Sequence, residues 1–308
     1  MSVDPYKDGK QMVDAINIDA LTKVFRASPF KPPFTAVSSI SLRIRQGETF
    51  GFIGANGAGK STTIKILTGI LKPSSGVVKL FGADVTDPET RRGVGYVPEN
   101  PCLYDYLTPL EVLEMGVSLH KVEVNNCRQH CMDWLEKFGI AHVANKRIRS
   151  FSKGMVQRTA LAHALAIKPR LLILDEPFSG LDPLGRKDVV DLLGEYRTEG
   201  GTLFFSSHVL HDVERIADRF GLIHQGNLLT IRSPQEIVAD QADRYVVRYR
   251  GSHAVASSVE IRPGLYSLDT VADQLAECVV AVQVGGGIIQ DVQPKVSLET
   301  VFFKTIGQ

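Results

Sequence analysis

Gly54-Ala55-Asn56-Gly57-Ala58-Gly59-Lys60-Ser61-Thr62 is the stretch on which the reading of the fold turns. It has the phosphate-loop spacing: a glycine, four residues, then Gly-Lys-Ser. Glycines let the backbone turn tightly, so that its N–H groups converge on phosphate oxygens without side chains in the way. A helix beginning near Lys60 aims its N-terminal dipole at the same anion. Lys60 then neutralises the outer phosphates, and the Ser61 hydroxyl is placed to ligate Mg²⁺. Residues 49–53 (TFGFI) read as a strand directly before the loop, and residues 62–71 (TTIKILTGIL) read as a helix after it. That flanking pair separates the motif from a glycine-rich turn matching by chance and marks a nucleotide-phosphate site.

A second half of the site lies far along the chain, in Leu171-Leu172-Ile173-Leu174-Asp175-Glu176-Pro177. Four aliphatics make a buried strand, and Asp175 falls at its carboxyl end, where open parallel sheets collect their ligands. An Asp there can hold Mg²⁺, and the neighbouring Glu176 can polarise or deprotonate an attacking water. Alone, the pair also fits two acids capping a strand at a loop. The phosphate loop tips the balance toward chemistry.

Further strands are expected at 14–21, 40–44, 77–81, 171–174, 202–206 and 220–224, with helix between about 105 and 168, where Leu110, Leu113 and Val117 recur three and four apart. Strands separated by helices argue an α/β architecture with a mostly parallel core sheet. Three prolines in the segment 28–34 exclude continuous helix or central strand there. After Pro234 the texture changes to short β-rich pieces, 245–247 and 278–284, broken by Gly285-Gly286-Gly287. The expected organisation is a loose tail (1–13), a nucleotide-binding domain (14–233) with its helical part at about 100–168, and a small C-terminal α+β domain (234–308).

Composition narrows the class. The 308 residues are 44% hydrophobic and 22% charged, which suits a globular chain and not a disordered one. The formal charge is +1, but it divides unevenly: residues 234–308 carry six Lys and Arg against nine Asp and Glu, the remainder 29 against 25. Neither part has the basic footprint of a nucleic-acid binder. Cysteines at 102, 127, 131 and 278 are too scattered for a disulfide scaffold. No run of 18 apolar residues occurs and the first residues lack a leader's apolar stretch, so the expectation is a chain without a membrane span, working in the cytoplasm.

With these motifs in place, the sequence resembles the ATP-binding subunits of ATP-binding-cassette (ABC) transporters over roughly residues 14–233. Phe151-Ser152-Lys153-Gly154-Met155-Val156-Gln157-Arg158 is similar to the family signature, usually Leu-Ser-Gly-Gly-Gln. Phe178-Ser179-Gly180-Leu181-Asp182-Pro183 is similar to the loop through which two nucleotide sites communicate, and Ser206-Ser207-His208 to the segment of the switch histidine. The resemblance implies a P-loop cassette with a mostly parallel core sheet, an antiparallel β subdomain and a helical insertion. It implies ATP and Mg²⁺ as ligands, with two cassettes sandwiching two ATP molecules across a two-fold axis. Ser152 and Gly154 then grip the γ-phosphate held by the other protomer, with Asp182 close by, and His208 bonds that phosphate and holds water with Glu176. On sequence alone Ser152 equally fits a helix N-cap, and His208 a strand-end histidine. An aromatic near the start stacks on adenine in this family. Phe25 aligns best, and Phe30 and Phe34 stay open, as does a packed core aromatic.

Three departures carry information. In Gly95-Tyr96-Val97-Pro98-Glu99 the family's usual Gln is Glu99, a carboxylate able to ligate Mg²⁺. Lys153 and Met155 replace Gly and Gln in the signature, and Lys153 points either to the partner's ATP or to solvent. The closing Pro294-Lys295-Val296-Ser297-Leu298-Glu299-Thr300-Val301-Phe302 completes a likeness to exporter-type subunits serving multidrug, sodium, lipid or polysaccharide efflux. Cys127, His130 and Cys131 share a helix face, but a fourth zinc ligand is missing and the neighbours are apolar, so buried structural cysteines are expected.

The expectation is a Mg-dependent ATPase on the cytoplasmic face of the membrane, driving an exporter through separate transmembrane chains, with no nucleic-acid partner. An importer subunit, a soluble ABC-type ATPase acting on nucleic acid, and a non-hydrolysing regulatory protein are the competing readings.

Overall fold

The computed structural model describes residues 13–26, 32–240 and 244–294. The chain divides into two compact units between Ile231 and Arg232. In the first, β1 (Ile16–Phe25) and β2 (Phe34–Ile44) pair antiparallel, and β3 (Thr49–Ile53) leads into α1 (Lys60–Leu67). β4 (Ser75–Leu80) and the short β5 (Ala83–Asp84) follow, then β6 (Val94–Val97) and the helices α2 (Pro109–Leu119), α3 (Cys127–Lys137) and α4 (Lys153–Ala166). β7 (Leu171–Leu174), α5 (Pro183–Thr198), β8 (Thr202–Ser207), α6 (Leu210–Ile216), β9 (Arg219–His224) and β10 (Asn227–Arg232) complete it.

Two sheets result. One is ordered β2-β1-β4-β5 with antiparallel neighbours, and the other β10-β9-β3-β8-β7-β6. In the second sheet β3, β6, β7, β8 and β9 run parallel. Every residue of β3, β7 and β8 is buried, and β7 accordingly reads as an unbroken aliphatic run. β1 runs on past residue 21 to Phe25. It does so through register shifts about Ala20, a residue held at φ 48°.

The core sits between the sheets and α1. Phe50 and Phe204 stack with ring centroids 6.0 Å apart, and Phe52 tilts on Phe204 at 5.5 Å. α6 lies so close over β3 that a Cβ on Gly51 would come within 2.7 Å of the Val213 side chain. The helical insertion starts cleanly at Thr108: its hydroxyl accepts from the Glu111 N–H and the Glu111 carboxylate accepts from the Thr108 N–H, a reciprocal capping box. Leu110, Leu113 and Val117 form the buried stripe of α2. On α3, Cys131 is buried, Cys127 half-buried, and His130 is tied to the Ala166 carbonyl at 2.8 Å.

The second unit holds α7 (Pro234–Asp240), β11 (Arg244–Arg250), β12 (Ser258–Arg262), β13 (Leu265–Val271), α8 (Ala272–Val284) and β14 (Ile288–Pro294). Its sheet is ordered β12-β13-β11-β14, all antiparallel. Tyr249 stacks on Tyr266 at 5.3 Å over Val282 of α8. Residues 278–284, expected as a strand piece, form the second half of α8, which corrects that reading. The inward residues Leu275, Cys278, Val279 and Val282 step by three and four, so the helical period wins over the β-branched composition. The tail 1–12, Phe30 and the closing pattern from residue 295 onward lie outside the described residues.

Truncating Phe204 to Ala removes the ring that both Phe50 and Phe52 pack on. A loss of about 3–5 kcal/mol is expected, read as an earlier denaturant midpoint for the first unit. Asp212 is buried on α6, and desolvation holds its carboxyl above the usual range despite Arg186, whose Nη1 lies 3.5 Å from Oδ1. His211 and Arg215 pull the same way as Arg186, while Glu176 adds to the rise. With the folded value raised, the stability tied to protonated Asp212 is present in acid and lost as pH rises through that value. Asp212→Asn is therefore expected to raise the melting temperature at pH 8 and to converge on wild type in acid. A melting series across pH checks this.

Candidate functional site

The parallel register brings four loops to one edge of the sheet. Ile53 pairs with Ser207, Leu174 with Phe205, and Val97 with Leu174, so the residues that follow β3, β7, β8 and β6 emerge side by side. The turn after β3 needs its glycines for defined reasons. Gly59, the N-cap of α1, has φ 113°, and a Cβ there would lie 2.5 Å from the Ala36 carbonyl oxygen. Gly57 has φ 80°.

Lys60 is 5% exposed. Its Nζ donates to the Gly54 carbonyl at 2.7 Å and forms an ion pair with Glu176 Oε1 at 3.2 Å. The other carboxylate oxygen, Oε2, is hydrogen-bonded to His208 Nδ1 at 2.8 Å. Glu176 itself is in the left-handed region, φ 50°, a conformation costing about 1–2 kcal/mol for a residue with a Cβ. Hydrogen bonds hold it there: its N–H donates to Ser206 Oγ at 2.9 Å, and Gln157 Nε2 donates to the next carbonyl, that of Pro177, at 3.0 Å.

These groups border a cavity of about 430 Å³. Phe25, Phe34 and Ala36 line it together with Ala55, Asn56, Gly57, Gly59, Lys60, Ser61 and Thr62. Glu99, Glu176 and His208 complete the lining. Phe25 and Phe34 are cross-strand partners, and Lys23 Nζ sits 5.1 Å from the centre of the Phe25 ring. A second cavity, about 560 Å³, shares Ser61 and Glu99 and adds Asp175, Tyr96 and His163. Burial and the charge of Asp175 push the Tyr96 phenol up to about 12, so it stays neutral. The hydroxyl of Ser61 and the carboxylates of Glu99 and Asp175 are the hard oxygen donors that Mg²⁺ takes.

Not every expected residue reaches the first cavity. Gly54 and Ala58 pack inward, Ala58 in the core cluster and Gly54 against Ile223. Ser152 caps α4, accepting from the Met155 N–H at 3.3 Å, and Asp182 caps α5, accepting from the Gly185 N–H at 3.2 Å. Lys153 lies against its own chain's 178–182 loop, with Nζ 3.4 Å from Ser179 Oγ, while Gly154 faces the Gly180 carbonyl of the same loop. Arg158 joins this region to the helical insertion: it donates to the Phe138 carbonyl at 3.0 Å and pairs with Asp188 at 3.6 Å and Asp182 at 3.9 Å. Among the described residues no group of three or more His, Cys, Asp or Glu side chains is arranged as a metal cluster. Sequence reasoning gave no role to the Ser206 hydroxyl or to Tyr96. β8 carries three buried hydroxyl residues, Thr202, Ser206 and Ser207, and sequence alone does not separate Ser206 from the other two.

Residues 37–179 match the family model described as ABC transporter. An uncharacterized ABC transporter ATP-binding protein of Nostoc sp. (strain PCC 7120) is 36% identical over 294 residues, spanning 93% of this chain and 88% of its own length. The bacitracin transport ATP-binding protein of Bacillus licheniformis is 39% identical across 63% of each chain. The spermidine/putrescine import ATP-binding protein of Thermobifida fusca is 31% identical across 91% of this chain and 70% of its own. A solved ATP-binding subunit of an ABC transporter superimposes with a TM-score of 0.67 at 29% identity, covering 73% of this chain and 92% of that one. With the phosphate loop, the acidic strand end and the histidine gathered at one sheet edge of such a cassette, the chain belongs to the family of ABC transporter ATP-binding proteins.

Proposed function

We propose that this chain hydrolyses ATP to drive an exporter whose membrane-spanning subunits are separate chains. The observation that carries the hydrolytic part is the meeting of Lys60, Glu176 and His208, with contacts of 3.2 and 2.8 Å about one carboxylate. Lys60 and the backbone N–H groups of the 54–59 turn balance the phosphate charge. Glu176, buried and aimed by two neighbours, takes up the proton of an attacking water or orients it, and His208 fixes that carboxylate. Phe25 and Phe34 offer the adenine its apolar faces. Mg²⁺, held by Ser61, Glu99 and Asp175, would draw negative charge from the phosphate oxygens.

Ser152, Gly154 and Asp182 border no part of the first cavity, which fits their serving a second cassette's nucleotide across a two-fold axis. The N-terminus of α4, with Lys153 in its first turn, presents positive charge to such a phosphate. Among the described residues no helix is long and apolar enough to cross a membrane. The proposal places the transmembrane path in other chains, with this one bound at the cytoplasmic face. Residues 99–108, which lead from β6 into α2, are the proposed contact with them.

Export is favoured by Glu99 and the Ser-Lys-Gly-Met form of the signature. The importer reading draws on the likeness to the Thermobifida protein, which spans most of this chain. Inverted membrane vesicles carrying this chain and its multi-span partner separate the two: an exporter accumulates its substrate inside on adding ATP, and an importer does not. Glu176→Gln is expected to lower ATP turnover by about 10²–10⁴-fold while keeping nucleotide binding, and to leave an ATP-bound dimer on gel filtration. Undiminished phosphate release in that variant would remove Glu176 from the chemistry.

A further inference from the structure

We propose that Ser206 is a positioning residue for hydrolysis, its hydroxyl setting the geometry of both acidic residues at the end of β7. This deepens the hydrolytic reading above and rests on it. Ser206 is wholly buried near the end of β8. Its Oγ donates to Asp175 Oδ1 at 2.7 Å and accepts from the Glu176 N–H at 2.9 Å. One hydroxyl thus uses its single proton on the first acid and a lone pair on the backbone of the second, satisfying two buried groups at once.

The placement on β8 gives this more than a packing role. His208, the first residue after β8 and two on from Ser206, bonds the Glu176 carboxylate at 2.8 Å. Glu176 is therefore held at both ends by neighbouring residues: its backbone by Ser206 near the end of β8, its carboxylate by His208 just beyond it. Its left-handed backbone (φ 50°) is the conformation that needs such holding. The neighbouring hydroxyl, Ser207 Oγ, turns elsewhere, to the N–H and carbonyl of Val209. Gln157 supports the Pro177 carbonyl from α4 but bonds neither acid. In the described structure Ser206 is the side chain that bonds Asp175 and Glu176 together. Loss of its hydroxyl leaves the Glu176 N–H buried without an acceptor and Asp175 without a donor, while the phosphate loop that binds ATP is untouched.

The test compares Ser206→Ala, Ser206→Thr and Ser207→Ala with wild type and with Glu176→Gln, each checked for an unaltered melting transition. Three quantities are read: kcat and KM for ATP, the Kd of a fluorescent ATP analogue, and amide hydrogen exchange of the peptide covering residues 171–178. Ser206→Ala is expected to lower kcat at least about tenfold with KM and Kd changed less than about threefold. Exchange in 171–178 should speed up. Ser206→Thr, which keeps the hydroxyl, should recover most of kcat, and Ser207→Ala should stay near wild type. The exchange measurement reads the Ser206–Glu176 bond whether or not the protein turns over ATP, so a failure of the hydrolytic reading shows separately, as wild type and Glu176→Gln releasing phosphate alike. Unchanged exchange in Ser206→Ala, or a kcat within twofold of an active wild type, overturns the proposal. Equal losses in Ser206→Ala and Ser207→Ala overturn it as well, since they would mean a weakened strand.

Discussion

The ion pair between Lys60 and Glu176 is the contact around which the first unit is organised. Two charges can be buried this deeply only if each has an opposite partner and hydrogen bonds to complete its shell. Lys60 finds carbonyl oxygens in its own turn, and the Glu176 carboxylate finds His208, while Ser206 takes the Glu176 backbone N–H. All four requirements are met because β3, β7 and β8 are parallel, adjacent and in register, so their carboxyl ends open onto one place. The crossovers cover the sheet with helices and leave that edge free for a ligand.

A second set of contacts joins the site to the rest of the unit. Gln157 and Arg158 are consecutive on α4, yet one supports the loop after Glu176 and the other reaches the end of α3 and the cap and first turns of α5. These two residues join the helical insertion to the loop after Glu176 and to the start of α5. Lys153 adds an exposed tie between the start of α4 and Ser179. A signature loop and the 178–182 loop of one chain thus form a single surface.

Much of this was legible in the residues. Glycine spacing and the strand before it announced the phosphate loop, since few other sequences allow both the turn and the approach of backbone to anion. Four aliphatics before Asp175 announced the acidic strand end. The reading failed at 278–284, where composition favoured a strand while the inward positions followed a helical period. It stayed open for Lys153, whose Nζ turns to Ser179 of its own chain, a neighbour that no sequence spacing reveals. Among the aromatics, both Phe25 and Phe34 border the cavity because the β1–β2 register places them opposite one another.

The sequence by itself determined which residue types stand at each strand end and which turns they make, because local sterics and hydrogen bonding depend on near neighbours along the chain. Only the tertiary structure decided which ends meet. Strand order and register are set by how whole faces pack, and it is that packing which brings Ser206 between Asp175 and Glu176 and sets Lys60 against a carboxylate distant in sequence.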